Sequence, residues 1–203
     1  MSIASSQAGE FPRTSVKPLI GVVEPFDGEC LMSVLARTAE KNVFTRVREM
    51  VESAGLQVLR PEFIPFTQVQ AAPGLSKLLG VESGVIAGLM HPASDPERPV
   101  DKVNWYGTHL PRKFISIDRR FSPKSFASSP YIRAVWQVRP ITFCPESMEL
   151  LITQCPHCGA EVGWRVLHGF HVCATCGRSL RHTRPRENRV APAVRCSGRG
   201  PSG

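Results

Sequence analysis

No stretch of this 203-residue chain approaches the ~20 consecutive apolar residues of a membrane-spanning helix, so no membrane contact is expected. The first ten residues, Met1 to Glu10, hold no apolar core of the kind a secretory signal needs. Also missing are a P-loop, an H-E-x-x-H helix and a nucleophile elbow. His91, Asp95 and His109 have no spacing that suggests convergence on a reacting group, so an enzyme is not expected. The seven cysteines do not make an even set. Four of them fall in a single motif, a usage that suits a reducing compartment better than a disulfide framework. Together these absences leave a cytoplasmic protein of one ordinary domain or two small ones.

What is present is concentrated near the C-terminus. Cys155, Cys158, Cys173 and Cys176 form two Cys-x-x-Cys pairs, C-P-H-C-G and C-A-T-C-G. Two such pairs present four thiolates that can close tetrahedrally on one Zn²⁺. A closed tetrahedron leaves no position for water, so the expected metal is structural, one per chain. Gly159 and Gly177 follow the second cysteine of each pair, where the chain bends back and favours positive φ. Between the pairs, Val162, Trp164 and Val166 alternate on one arm and Phe170 and Val172 on the other, predicting a hairpin around Leu167–Gly169. His157, His168 and His171 are rival ligands, and a disulfide pair or redox dithiol is the alternative use of the cysteines.

Upstream, a helix is predicted over about Glu29–Asn42, with Leu31, Val34, Leu35 and Ala39 on one face and Cys30 packing beside them. A second helix is predicted over about Val43–Ala54, stopped by Gly55. Residues 75–90 read as a helix-turn-helix with Gly80 at the turn and Leu75, Leu78, Leu79, Val81, Ile86 and Leu89 in the core. Its second helix has no Arg, Lys, Asn or Gln to read base edges. A structural or protein-binding helix pair is therefore expected. From residue 112 to 124, cations interleave with aromatics. Arg112, Lys113, Arg119, Arg120 and Lys124 are the candidate nucleic-acid contacts, with an ordinary amphipathic strand as the alternative.

The net charge is +8, and the segment from Arg178 to Gly203 carries seven arginines against Glu187 alone. Such a basic, Pro/Gly-rich tail suits disorder and sequence-independent phosphate contacts, or plain solubilisation. The whole divides into a flexible leader (1–17), a helical region (18–95), a linker (96–118), a finger region (119–181) and the basic tail (182–203).

Two blocks of residues resemble the TniQ family. Gly28-Glu-Cys-Leu-Met-Ser-Val-Leu-Ala-Arg-Thr-Ala-Glu-Lys-Asn42 is similar to that family's G-E-S-L-x-S-x-L-x-R-x-A-x-x-N opening. Trp136 to Pro145, followed by Glu149 to Gly159, resembles its W-x(4-6)-T-x-C-P-x-H-x(2-3)-L-x(3)-C-P-x-C block, in the same order. The resemblance implies an α+β fold: a mainly helical N-terminal part with a helix-turn-helix, then small zinc-ribbon-like fingers. It also implies a first zinc site whose ligand positions here are Ser122, Ser125, Cys144 and Ser147. Three of the four are serine, a poor zinc ligand, so that finger is expected to survive as a degenerate, metal-free fold.

Functionally, the resemblance implies a bacterial adaptor in DNA transposition. Such an adaptor links a target-selecting complex, an RNA-guided CRISPR effector or a DNA-binding subunit, to an AAA+ ATPase that recruits the transposase. DNA and guide RNA would be its nucleic-acid partners. The chain ends soon after the second finger, which implies reliance on another subunit for sequence choice. The helical stretches 29–42 and 75–90 are the expected ATPase surfaces. The alternative is a stand-alone zinc-containing DNA-binding regulator.

Overall fold

The computed structural model describes residues 17–181 except 54, 59, 68, 96, 99 and 100. The leader up to residue 16 and the basic tail from 182 onward lie outside the described residues. The fold is mixed: short helices, one two-stranded sheet and a cysteine cluster near the C-terminal end.

Helix α1, Leu31–Lys41, forms the centre. It buries not one stripe but nearly its whole circumference: Leu31 to Ala36, Thr38 and Ala39 are all buried. A helix buried on most sides is packed from several directions, and α1 therefore cannot serve as the free partner surface expected from its sequence. Gly28, at φ 70°, turns the chain into it. Cys30 is buried at its N-cap position.

Helix α2, Val47–Glu52, is shorter than predicted. Val43 takes a left-handed φ of 63°, which breaks the helical path and delays the start to Arg46. Val47, Met50 and Val51 are buried against α1. Helices α3, Ala72–Leu79, and α4, Ser83–Gly88, pack on each other around Gly80, which is left-handed at φ 67°. A Cβ at Gly80 would sit 2.9 Å from the Val22 side chain, so this turn needs glycine for space as well as φ. Leu75, Leu78, Leu79 and Ile86 are buried as predicted, while Val81 and Leu89 are partly so.

The expected linker contains the sheet. Strands β1, Lys102–Trp105, and β2, Thr108–Pro111, pair antiparallel, with Val103 opposite Leu110 and Trp105 opposite Thr108. Trp105 lies 4.0 Å from His91, centroid to centroid, and this contact fastens the hairpin to the end of α4. Helix α5, Pro123–Ser128, follows; Ser122 caps it by accepting from the Ser125 N–H at 3.1 Å.

The body and the finger region share one continuous apolar core, running from Leu35 through Phe126 and Trp136 to Trp164, Phe170 and Leu180. The hairpin predicted between the cysteine pairs does not form, because its apolar residues are used elsewhere. Leu167 donates its N–H to the Thr45 carbonyl at 2.8 Å, the Trp164 Nε1–H reaches the Ile117 carbonyl at 3.1 Å, and the Phe170 N–H reaches Glu40 at 2.9 Å. Arg165 and Arg60 both pair with Glu62, at 2.9 and 3.1 Å. Tertiary docking outweighs local strand pairing here. Among the described residues, no helix is long and apolar enough to cross a membrane.

Candidate metal centre

Cys155, Cys158, Cys173 and Cys176 place their ligand atoms within 4.8 Å of one another. Two edges of this figure, Cys155 to Cys176 and Cys158 to Cys173, measure 3.8 Å. A tetrahedron with Zn–S bonds of 2.3 Å has edges of about 3.8 Å, which these two edges match. A disulfide would need sulfurs at about 2.05 Å. His157 is committed elsewhere: its Nε2 lies 2.9 Å from the Ser179 carbonyl, tying one knuckle to the other.

Local backbone bonding produces this geometry. In the first knuckle the Cys155 N–H donates to Ala160 at 2.7 Å and the Gly159 N–H donates back to Cys155 at 2.9 Å. The second repeats it: Cys173 to Arg178 at 2.9 Å, and Gly177 to Cys173 at 2.9 Å. Gly159 and Gly177 have φ of 77° and 69°. Single bridges, Gln154 with Glu161 and Val172 with Ser179, close each knuckle at its base.

The electrostatics suit a cation. Burial, reinforced by the Cys173 and Cys158 thiols, pushes the Cys155 thiol up to about 12. For Cys173 burial acts upward, but the N–H groups of Cys176 and Thr175 with the Cys155 and Cys158 side chains outweigh it and bring the thiol down to about 7. Four thiols this close cannot all ionise without a positive charge among them.

The four positions expected for the first site also converge. The Ser122 and Ser147 hydroxyls are 2.8 Å apart, and Ser122 donates to Glu149 at 2.6 Å. Cys144 is fully buried. Burial works to raise its thiol, yet the hydroxyls of Ser147 and Ser125 and the N–H groups of Ser147 and Glu146 hold it below the ordinary range.

The candidate nucleic-acid residues do not form one exposed set, and Arg119 is a correction. It is 2% exposed, its guanidinium 4.8 Å from the Phe170 ring and 5.4 Å from Trp164. It donates to the Phe170 carbonyl; burial lowers its affinity for its proton to about 10. A cation so enclosed knits α5 to the segment between the cysteine pairs and is not free to meet a phosphate. Arg112 stacks 3.8 Å over Phe66, and Arg120 donates to the Val138 and Ile141 carbonyls at 3.0 and 2.5 Å. Lys113 and Lys124 are exposed. The interleaved aromatics that suggested a binding strand mark, for the most part, packing.

The first sequence block has a structural explanation. The Glu29 carboxylate accepts from Ser33 at 2.5 Å, Arg37 at 2.6 Å and the Phe26 N–H at 2.9 Å. Burial still lifts its pKa above the ordinary carboxylate range. Ser33 in turn accepts the Ile132 N–H at 2.9 Å. Asn42 exchanges two bonds of 2.9 Å with the backbone of Gly21. Glu29, Ser33, Arg37 and Asn42 thus pin the 21–26 segment and the 131–134 segment to α1. The chain matches no family model, and no curated protein matches it in sequence.

Proposed function

We propose that this chain is a non-enzymatic adaptor in DNA transposition, stabilised by one structural Zn²⁺, that links a target-selecting complex to an AAA+ ATPase which recruits the transposase. Zn²⁺, when bound, supplies charge neutralisation and a rigid crosslink between the two knuckles. Cys155, Cys158, Cys173 and Cys176 would hold it in a zinc-ribbon-like finger.

The observation that carries the reading is the ordered pair of sequence blocks together with what their residues do. The first block locks α1 and the second builds the knuckles, so the resemblance rests on residues that determine a fold. An adaptor needs rigid surfaces for two partners, and the common core between helices and finger provides one rigid unit. One partner face is favoured by exposure. Phe143, Met148 and Leu150 are 42%, 73% and 68% exposed on a single knuckle, with Phe143 bridged to Leu150. An apolar group displayed this way on a polar surface suits a protein partner. For nucleic acid, DNA or a guide RNA, the exposed candidates are Lys113 and Lys124, supported by the arginines of the tail.

The test is capture of an AAA+ transposition ATPase encoded beside this chain, with ATP and DNA present or withheld. ATP- and DNA-dependent capture is expected. Absence of capture together with tight, sequence-specific duplex binding by the chain alone would favour the stand-alone zinc regulator.

A further inference from the structure

Three segments of this chain fold as the same knuckle, and only two of them carry a full cysteine pair. The segment from Cys144 to Glu149 repeats the bonding of the other two. Cys144 donates to Glu149 at 2.8 Å, as Cys155 does to Ala160 and Cys173 to Arg178. The Met148 N–H returns to the Cys144 carbonyl at 2.8 Å, as Gly159 and Gly177 return to theirs. Met148 is left-handed at φ 55°, matching the two glycines. The bridge between Phe143 and Leu150 stands where Gln154–Glu161 and Val172–Ser179 stand. A left-handed backbone is unfavourable for methionine, so the contacts around this knuckle must hold it closed.

We infer that the Glu149 carboxylate, with the Ser122 and Ser147 hydroxyls, does for this knuckle the crosslinking that a metal ion does for the other pair, and that the site is a latent tetrahedral metal site. Glu149 reaches across to α5, accepting from Ser122 Oγ at 2.6 Å and from the Lys124 N–H at 2.8 Å. Ser122, whose own proton goes to Glu149, accepts from the Ser147 hydroxyl at 2.8 Å, so the chain runs from the knuckle through Ser122 to the carboxylate. The hydroxyl chain and the carboxylate thus span the two ligand pairs, 122/125 on α5 and 144/147 on the knuckle, that four thiolates would occupy around a thiophilic divalent cation. Serine oxygen in place of sulfur shortens each arm and favours hydrogen bonds over soft-metal ligation. The inference does not depend on the adaptor reading.

The full chain carrying Ser122→Cys, Ser125→Cys and Ser147→Cys tests this. Titrated with Co²⁺, it should bind two equivalents with tetrahedral thiolate absorption, against one for the unsubstituted chain. Glu149→Gln is then introduced in both backgrounds. In the unsubstituted chain it should lower the melting temperature by roughly 5 °C, the loss of one carboxylate crosslink. In the metal-loaded triple variant the shift should be largely absent, because the ion now spans the gap. A folded triple variant that still binds one equivalent, or an equal Glu149→Gln shift in both backgrounds, would overturn the inference. If the triple variant does not fold, a cycle of Ser122→Ala and Glu149→Gln in the unsubstituted chain decides: non-additive losses support the crosslink and additive losses refute it.

Discussion

Met148 stands in its knuckle where Gly159 stands in the next: both are left-handed, at φ 55° and 77°, and each donates its N–H to the first cysteine's carbonyl. The difference lies in the side chain. Nothing within 4 Å would meet a Cβ at Gly159, so the position is constrained by backbone torsion alone. Met148→Gly should therefore stabilise the chain by about 0.5–1 kcal/mol, the torsional relief less glycine's added freedom when unfolded. Urea midpoints would show it. The same substitution removes the most exposed member of the apolar trio and should weaken ATPase capture. Stability and partner binding would move in opposite directions.

Arg119 separates packing from nucleic-acid binding. Arg119→Ala leaves a cavity among Phe126, Trp164 and Phe170 and an unpaired Phe170 carbonyl, and should cost about 3 kcal/mol or more. Lys113→Glu with Lys124→Glu should leave the melting temperature within about 2 °C while weakening nucleic-acid binding and flattening its salt dependence. Unchanged affinity and salt slope in the lysine pair would remove those residues from the interface.

His91 predicts how stability changes with pH. Burial depresses its pKa to about 4, against about 6.5 in the unfolded chain. The unfolded state thus binds more protons between these values. The contribution is whole above about pH 6.5 and is lost as pH falls toward 4. At pH 5 the loss comes to about 2 kcal/mol. His91→Phe keeps a ring against Trp105 and should flatten this part of the stability curve, measured by chemical unfolding from pH 7 to 5. An unchanged slope would show that His91 is not the titrating group.

Local chemistry was legible in the sequence, and long-range packing was not. The knuckles could be read because ligand spacing, the following glycine and the turn lie within six residues of each other. The start and core face of α1 could be read from apolar spacing. The same spacing could not show that α1 is enclosed on nearly all sides, since that depends on the 131–134 segment and the finger region arriving from far along the chain. Val162, Trp164, Phe170 and Val172 alternate like a hairpin, yet Trp164 and Phe170 are taken by the body. Arg119 sits in a run that looks solvent-facing, and only tertiary structure reveals its cage. The third knuckle was legible through its resemblance to a zinc pattern, but Glu149 was not, because a carboxylate two residues beyond Ser147 matches no ligand spacing.

Metal content tests the account most directly. Native mass spectrometry of the full chain, purified with zinc present, should find one Zn²⁺, lost together with the compact charge-state envelope when Cys173→Ser is introduced. Two ions on the unsubstituted chain would mean that the Ser122–Cys144 cluster already binds metal, contradicting its carboxylate closure. A compact chain with none would contradict the four-thiolate centre itself.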